Sequence, residues 1–151
     1  MRFEELDNAL NKLIVTIEKE PQALLHYAAT QAEEIIKDRI FDEGETATGQ
    51  SFGRYRSSWK KQRKKKGRQV AYKDLDMTGG LRKSIKVFSG KKKAGLRFNN
   101  DKARLIAEGQ EEQIGRGRIF VLSEKEADEV VRRTAEYGIR ELQKAIKQIF
   151  R

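Results

Sequence analysis

Residues 54–73 hold ten lysines and arginines and no acid: Arg54, Arg56, Lys60, Lys61, Arg63, Lys64, Lys65, Lys66, Arg68 and Lys73. The chain has 151 residues and a net charge of +10, so the other 131 residues, with 23 bases and 23 acids, form a neutral body. Lys60 to Arg68 contains no apolar side chain, so hydrophobic burial gives this stretch nothing to pack with. The sequence therefore predicts a single domain, 1–151, with a mobile basic loop or arm at about 54–73.

Three roles fit such an arm. It is a solvated loop that only supplies charge, a contact for nucleic-acid phosphates, or a clamp on an acidic neighbour protein. Tyr55, Trp59 and Tyr72 interleave with the bases. That mixture suits sequence-independent binding by counterion release and stacking. No recognition-helix or RNA-binding signature accompanies it, so specific base readout is not expected. The candidate partner-contacting or DNA-contacting residues are Arg54, Arg56, Lys60, Lys61, Arg63, Lys64, Lys65, Lys66 and Arg68.

Residue types limit the chemistry. The chain has no cysteine and one histidine, His26. Disulfides, thiolate metal sites and thiol nucleophiles are excluded, and one histidine cannot build a histidine-based metal cluster. Asp74 with Asp76 and Glu111 with Glu112 are paired acids without a metal-binding motif around them. The glycines match no phosphate-loop spacing. No catalytic residue, cofactor or metal ligand is expected. The start of the chain lacks a signal-peptide core, and no apolar run approaches ~20 residues, so no membrane partner is expected.

Hydrophobic spacing predicts an α+β fold. Phe3, Leu6, Leu10, Leu13, Ile14 and Ile17 mark one helix, and Pro21 suits the first turn of a second. That second helix carries Leu24, Leu25, Ala28, Ala32, Ile35, Ile36 and Ile40 and should end near Gly44, with His26 partly packed in it. Residues 42–58, with Gly44, Gly49 and Gly53, read as a loop. Ile85 to Ser89 and Leu96 to Phe98 read as a hairpin around a Gly- and Lys-rich tip. Asp101 to Glu108 reads as a short helix stopped by Gly109, and Ile119 to Leu122 as a short strand. Ser123 with Glu126 is a capping box, opening a helix with Ala127, Val131, Thr134, Gly138, Leu142, Ala145 and Ile149 on one stripe. The expected architecture is two N-terminal helices, a small antiparallel sheet with a hairpin, and a long C-terminal helix across it.

Two short blocks carry a family likeness. The first is Leu75-Asp-Met-Thr78-Gly79-Gly-Leu81-Arg-Lys-Ser84-Ile85. The second is Arg118-Ile119-Phe120-Val121-Leu122-Ser123, followed by the long helix. Thr78 can cap a helical turn, Gly79 lets the backbone bend, and Leu81 and Ile85 can anchor it. In this order the blocks resemble the virion-morphogenesis and tail-completion proteins of tailed phages. Those carry a Leu-x-x-Thr-Gly-x-Leu-x-x-Ser-Ile stretch, a hairpin, an alanine-containing turn ending in Gly, and an Arg-x-Phe-x-x-Leu-Ser entry to the last helix.

The likeness spans roughly Ile35 to Ile149, with Thr78, Gly79, Leu81, Ser84, Arg118, Phe120 and Ser123 as its motif residues. Two positions depart from it. Ala107-Glu108-Gly109 stands where the family often has an aromatic or a His-Gln pair before the glycine, and Ile119 stands where it often has proline. The resemblance implies a structural part of the virion, assembled in the host cytoplasm and acting in tail completion or head–tail joining. Its implied partners are other neck and tail proteins and itself, in a ring of six copies, with twelve as the alternative. The basic segment then meets either genomic DNA in the channel or an acidic protein. The runner-up function is a sequence-independent nucleic-acid-binding protein that uses residues 54–73, and a third is an assembly chaperone that leaves the finished particle.

Overall fold

The computed structural model describes residues 3–115 and 119–149. Among these, five α-helices and one two-stranded antiparallel sheet follow in the order α1 (Phe3–Lys37), α2 (Ser57–Lys65), α3 (Gly80–Ser84), β1 (Ile85–Ser89), β2 (Ala94–Phe98), α4 (Asp101–Gln110) and α5 (Glu124–Ile149). The mixed helix-and-sheet class and the long C-terminal helix agree with the sequence. Arg118 lies outside the described residues.

The two expected N-terminal helical stretches are joined across Pro21 into one helix. A helix-interior proline removes one N–H donor and crowds the preceding turn, yet the helix runs on. Its last turns widen into a π-turn at Asp38–Glu43, which stops at Gly44 in a left-handed conformation, φ 72°. The Gly44 N–H donates to the Arg39 carbonyl. A Cβ at Gly44 would strike the Lys73 carbonyl, so here glycine is needed for close approach as well as for φ.

Ile85 pairs with Phe98 and Ser89 with Ala94, the hairpin that alternation indicated. α1 crosses both strands and also packs along α5. One core joins these elements: Ile36, Ile40 and Phe41 from α1 and its π-turn, Phe52, Leu81 from α3, Ile85, Ala103 and Ala107 from α4, and Ile119. Between α1 and α5, the Tyr27 and Tyr137 rings stack at 4.2 Å. Gly138 sits against Leu24, whose Cδ2 would lie 3.0 Å from an added Cβ.

Ser123 and Glu126 form the capping box: the Glu126 N–H donates to Ser123 Oγ at 3.2 Å, and the Ser123 N–H donates to Glu126 Oε2 at 2.7 Å. The other Glu126 oxygen takes Arg39 Nε at 2.7 Å. Arg39 is buried and also donates to the Val121 and Glu45 carbonyls, so it ties the end of α1 to the start of α5.

Four local expectations change. Ile119 to Leu122 is not a strand, because the carboxylate of Glu111 captures the Ile119 and Phe120 amides, at 2.9 and 2.8 Å, that a neighbouring strand would have used. α4 does not stop at Gly109. It passes through it to Gln110 and continues as a π-turn, Glu111–Gly115, since a lone glycine weakens a helix without ending it. On α5 the buried side centres on Val130: Ala127, Thr134, Gly138 and Ala145 of the expected stripe are half-buried at its edge, while Val131, 68% exposed, and Leu142 face outward. His26 is exposed rather than partly packed, with Nδ1 3.2 Å from Ser89 Oγ.

Candidate functional site

The basic segment is folded although Lys60 to Arg68 has no apolar side chain to bury. Ser57 to Lys65 is α2, not a loop. Arg63, the sequence's candidate for a partner contact, is only 1% exposed. Its Nη2 donates to Asp74 Oδ2 at 2.8 Å, its Nε to the Gln69 carbonyl at 2.8 Å, and its Nη1 to the Asp76 carbonyl at 3.3 Å. The guanidinium also lies 4.4 Å from the centre of the Tyr55 ring. A planar cation with several fixed donors can satisfy an ion pair, two carbonyls and an aromatic face together, which lysine could not do.

Asp74 is the hub of this network. Besides Arg63 it accepts from the Tyr55 hydroxyl at 2.8 Å, from Gln69 Nε2 at 2.5 Å and from the Asp76 N–H at 3.0 Å. Burial pushes the Tyr55 phenol up to about 12. Arg68 approaches Asp76 at 3.7 Å, a looser and more exposed pair. Tyr72 donates its hydroxyl to the Asp42 carbonyl, and the Lys73 N–H donates to the Gly53 carbonyl. The first bond pins the end of the segment to the body, and the second ties that end to the residue just before the segment's start.

The other candidates remain outside. Arg54, Arg56, Lys61, Lys64, Lys65 and Lys66 are exposed, and Lys60 and Arg68 are half-buried. At about 100° per residue, Lys60, Lys64, Lys61 and Lys65 span one arc of roughly 140° on α2, while Arg63 turns away toward the body. Trp59 lies on the Arg63 side, 49% exposed, in a groove with Tyr55, Arg56, Lys73 and Ile106. The arrangement is a rigid row of cations with an aromatic edge. It can hold phosphates or carboxylates by charge without reading their identity.

The motif residues build the platform that carries this row. Gly79 takes φ +77° at the entry to α3, and the Gly80 N–H donates to Thr78 Oγ1 at 3.3 Å. Leu81 and Ile85 are buried in the core, and Ser84 Oγ donates to the Leu81 carbonyl at 2.6 Å. Phe120 meets Phe98 edge to face at 5.4 Å. Sequence reasoning missed Asp74 as the counter-ion of Arg63. The available signal was that Asp74 and Asp76 are the first acids after ten bases.

Among the described residues no group of three or more histidines, cysteines or acids is placed to hold a metal ion. No helix among them is long and apolar enough to cross a membrane. Comparison with protein-family models, with curated proteins and with solved structures finds no match to this chain.

Proposed function

We propose that the chain is a structural virion protein of a tailed phage, acting in tail completion or head–tail joining as a ring component at the neck or upper tail. One observation carries this reading. The residues of the two resembling blocks converge: Leu81 and Ile85 lie in one core with Ile119, and Leu75, Phe120 and Leu122 pack against it. A motif whose members are spent on packing marks an architecture, and the reading assigns the chain no reaction. Its partners are other neck and tail proteins and further copies of itself, six in a ring with twelve as the alternative. Mass spectrometry of purified virions, with copy number, tests it. The expected result is six or twelve copies per particle; absence or a single copy overturns it.

The lysine row on α2 favours a second reading, a sequence-independent nucleic-acid-binding protein. Replacing Lys60, Lys61, Lys64, Lys65 and Lys66 with Gln in the phage separates the possibilities. Filled heads and tails that fail to join indicate a clamp on an acidic protein. Joined particles that leak DNA indicate a channel contact. Normal infectious particles leave the lysines as solvated charge.

A further inference from the structure

The fold leaves two grooves open in different places, one apolar and one of mixed lining with exposed apolar side chains in it. The first is a groove of about 630 Å³ where α5 meets α1, with Leu24 and Ala28 on one wall and Val131, Ile139 and Leu142 on the other. Val131 is 68% exposed and Ile139 58%, high values for branched aliphatic side chains. One and two turns before Val131, the same arc of α5 carries Asp128 and Glu124, both exposed. The groove is thus apolar along its length and acidic at one end. The second surface is the groove between α2 and α4, with Trp59 49% and Ile106 44% exposed and Leu105, 61% exposed, beside it. Its cations are exposed Arg56, half-buried Lys73, and Arg63, which is buried and already paired with Asp74.

We propose that these surfaces are the two halves of one interface between copies of this chain. The α2–α4 surface of one copy seats Trp59 and Ile106 against Val131, Ile139 and Leu142 of the next, and Arg56 and Lys73 meet Glu124 and Asp128. The complementarity is double: apolar on apolar at the centre, cation on carboxylate at the edge. Because the surfaces differ, the contact is heterologous and leaves each copy with one free half, so it repeats until a ring closes. Lys61, Lys64 and Lys65 point to another arc of α2 and stay available outside the contact. The inference deepens the ring reading and rests on it for the closure, but it concerns the free chain and can fail while the chain still proves to be a virion protein.

The test uses the full chain and two variants, Val131→Glu and Trp59→Glu, each checked for folding by its melt. Sedimentation up to about 1 mM, the weak end of specific association, reads the assembly state. The unaltered chain should associate, and each variant should raise the dissociation constant about 30-fold or more, as loss of an interface anchor does. An equimolar mixture of the variants should give one-to-one heterodimers and nothing larger, since each retains the half the other lacks. The charge variants Arg56→Glu and Asp128→Lys should each weaken association and restore it when mixed. An unaltered chain that stays monomeric overturns the proposal. So does a mixture that gives no heterodimer, or a Trp59→Glu chain that still associates like the original, which would mean α5 pairing with itself. A Trp59→Glu chain that loses only single-stranded oligonucleotide binding overturns it in favour of a nucleic-acid surface.

Discussion

The segments 54–73 and 75–85 are adjacent in sequence and fold by opposite means. In the second, Leu81 and Ile85 are buried and the backbone turns left-handed at two positions, Leu75 with φ 54° and Gly79 with φ 77°. In the first, α2 is held by one arginine, whose burial is tolerated because Asp74, two carbonyls and the Tyr55 ring surround it. A segment with ten bases and no acid can therefore pack when one of its cations finds a counter-ion outside it. The exposed lysines of α2 then face outward as a row, which restricts their geometry and favours multipoint contact with an anionic surface.

The comparison breaks most visibly at Asp74. Asp74→Ala leaves Arg63 buried without its partner and should cost about 3–5 kcal/mol, read from denaturant unfolding. Replacing Arg63 and Asp74 together by Met and Leu should restore part of that loss, because the stranded charge is gone. Leu81→Ala acts on the apolar side and should cost about 2–5 kcal/mol. A Leu81→Ala chain with an unchanged melt would place that side chain outside the core. A Cβ at Gly79 makes only ordinary contacts, with Arg68 Nη2 and Asp76 Oδ1 at 3.8 Å and Lys83 Cε at 3.9 Å, so the cost of Gly79→Val is set chiefly by the positive φ, about 1–3 kcal/mol.

Tyr55 sharpens the comparison through pH. Its phenol is neutral in the fold up to about 12, against an ordinary value near 10. The folded value is raised, so its stabilising contribution is complete below pH 10 and is lost as pH rises from 10 through about 12. Ultraviolet titration should show one tyrosine ionising near 12, and Asp74→Ala should lower that step. The smallest effect on stability belongs to the outer row. A variant with Lys60, Lys61, Lys64, Lys65 and Lys66 all changed to Gln should lose no more than about 0.5 kcal/mol of stability per site. The same variant should lose most duplex-DNA affinity and flatten the salt dependence by up to roughly 4–5 in slope.

Local signals were legible where one residue pair fixes an outcome. Ser123 and Glu126 announce the start of α5, and alternation from Ile85 to Phe98 announces the hairpin. Features fixed by distant partners were hidden. Arg63 looked like every other base in its run, because its burial depends on a network that includes Asp74, eleven residues on. Ile119 to Leu122 carries a strand-like composition, but Glu111 takes two of its amides. Pro21 suggested a boundary, although one missing donor did not outweigh the packing of α1 beyond it. Val130 and Val131 are adjacent, and helical spacing alone did not decide which one faces α1.

Amide hydrogen exchange across residues 60–66, the amides that have an acceptor in α2, tests most directly whether the basic segment is an anchored helix. In the intact protein these amides should be protected well beyond unstructured-peptide rates, and Asp74→Ala should remove that protection while α5 keeps its own. Exchange of 60–66 at unstructured rates in the intact, folded protein would contradict the account and return the segment to a mobile arm.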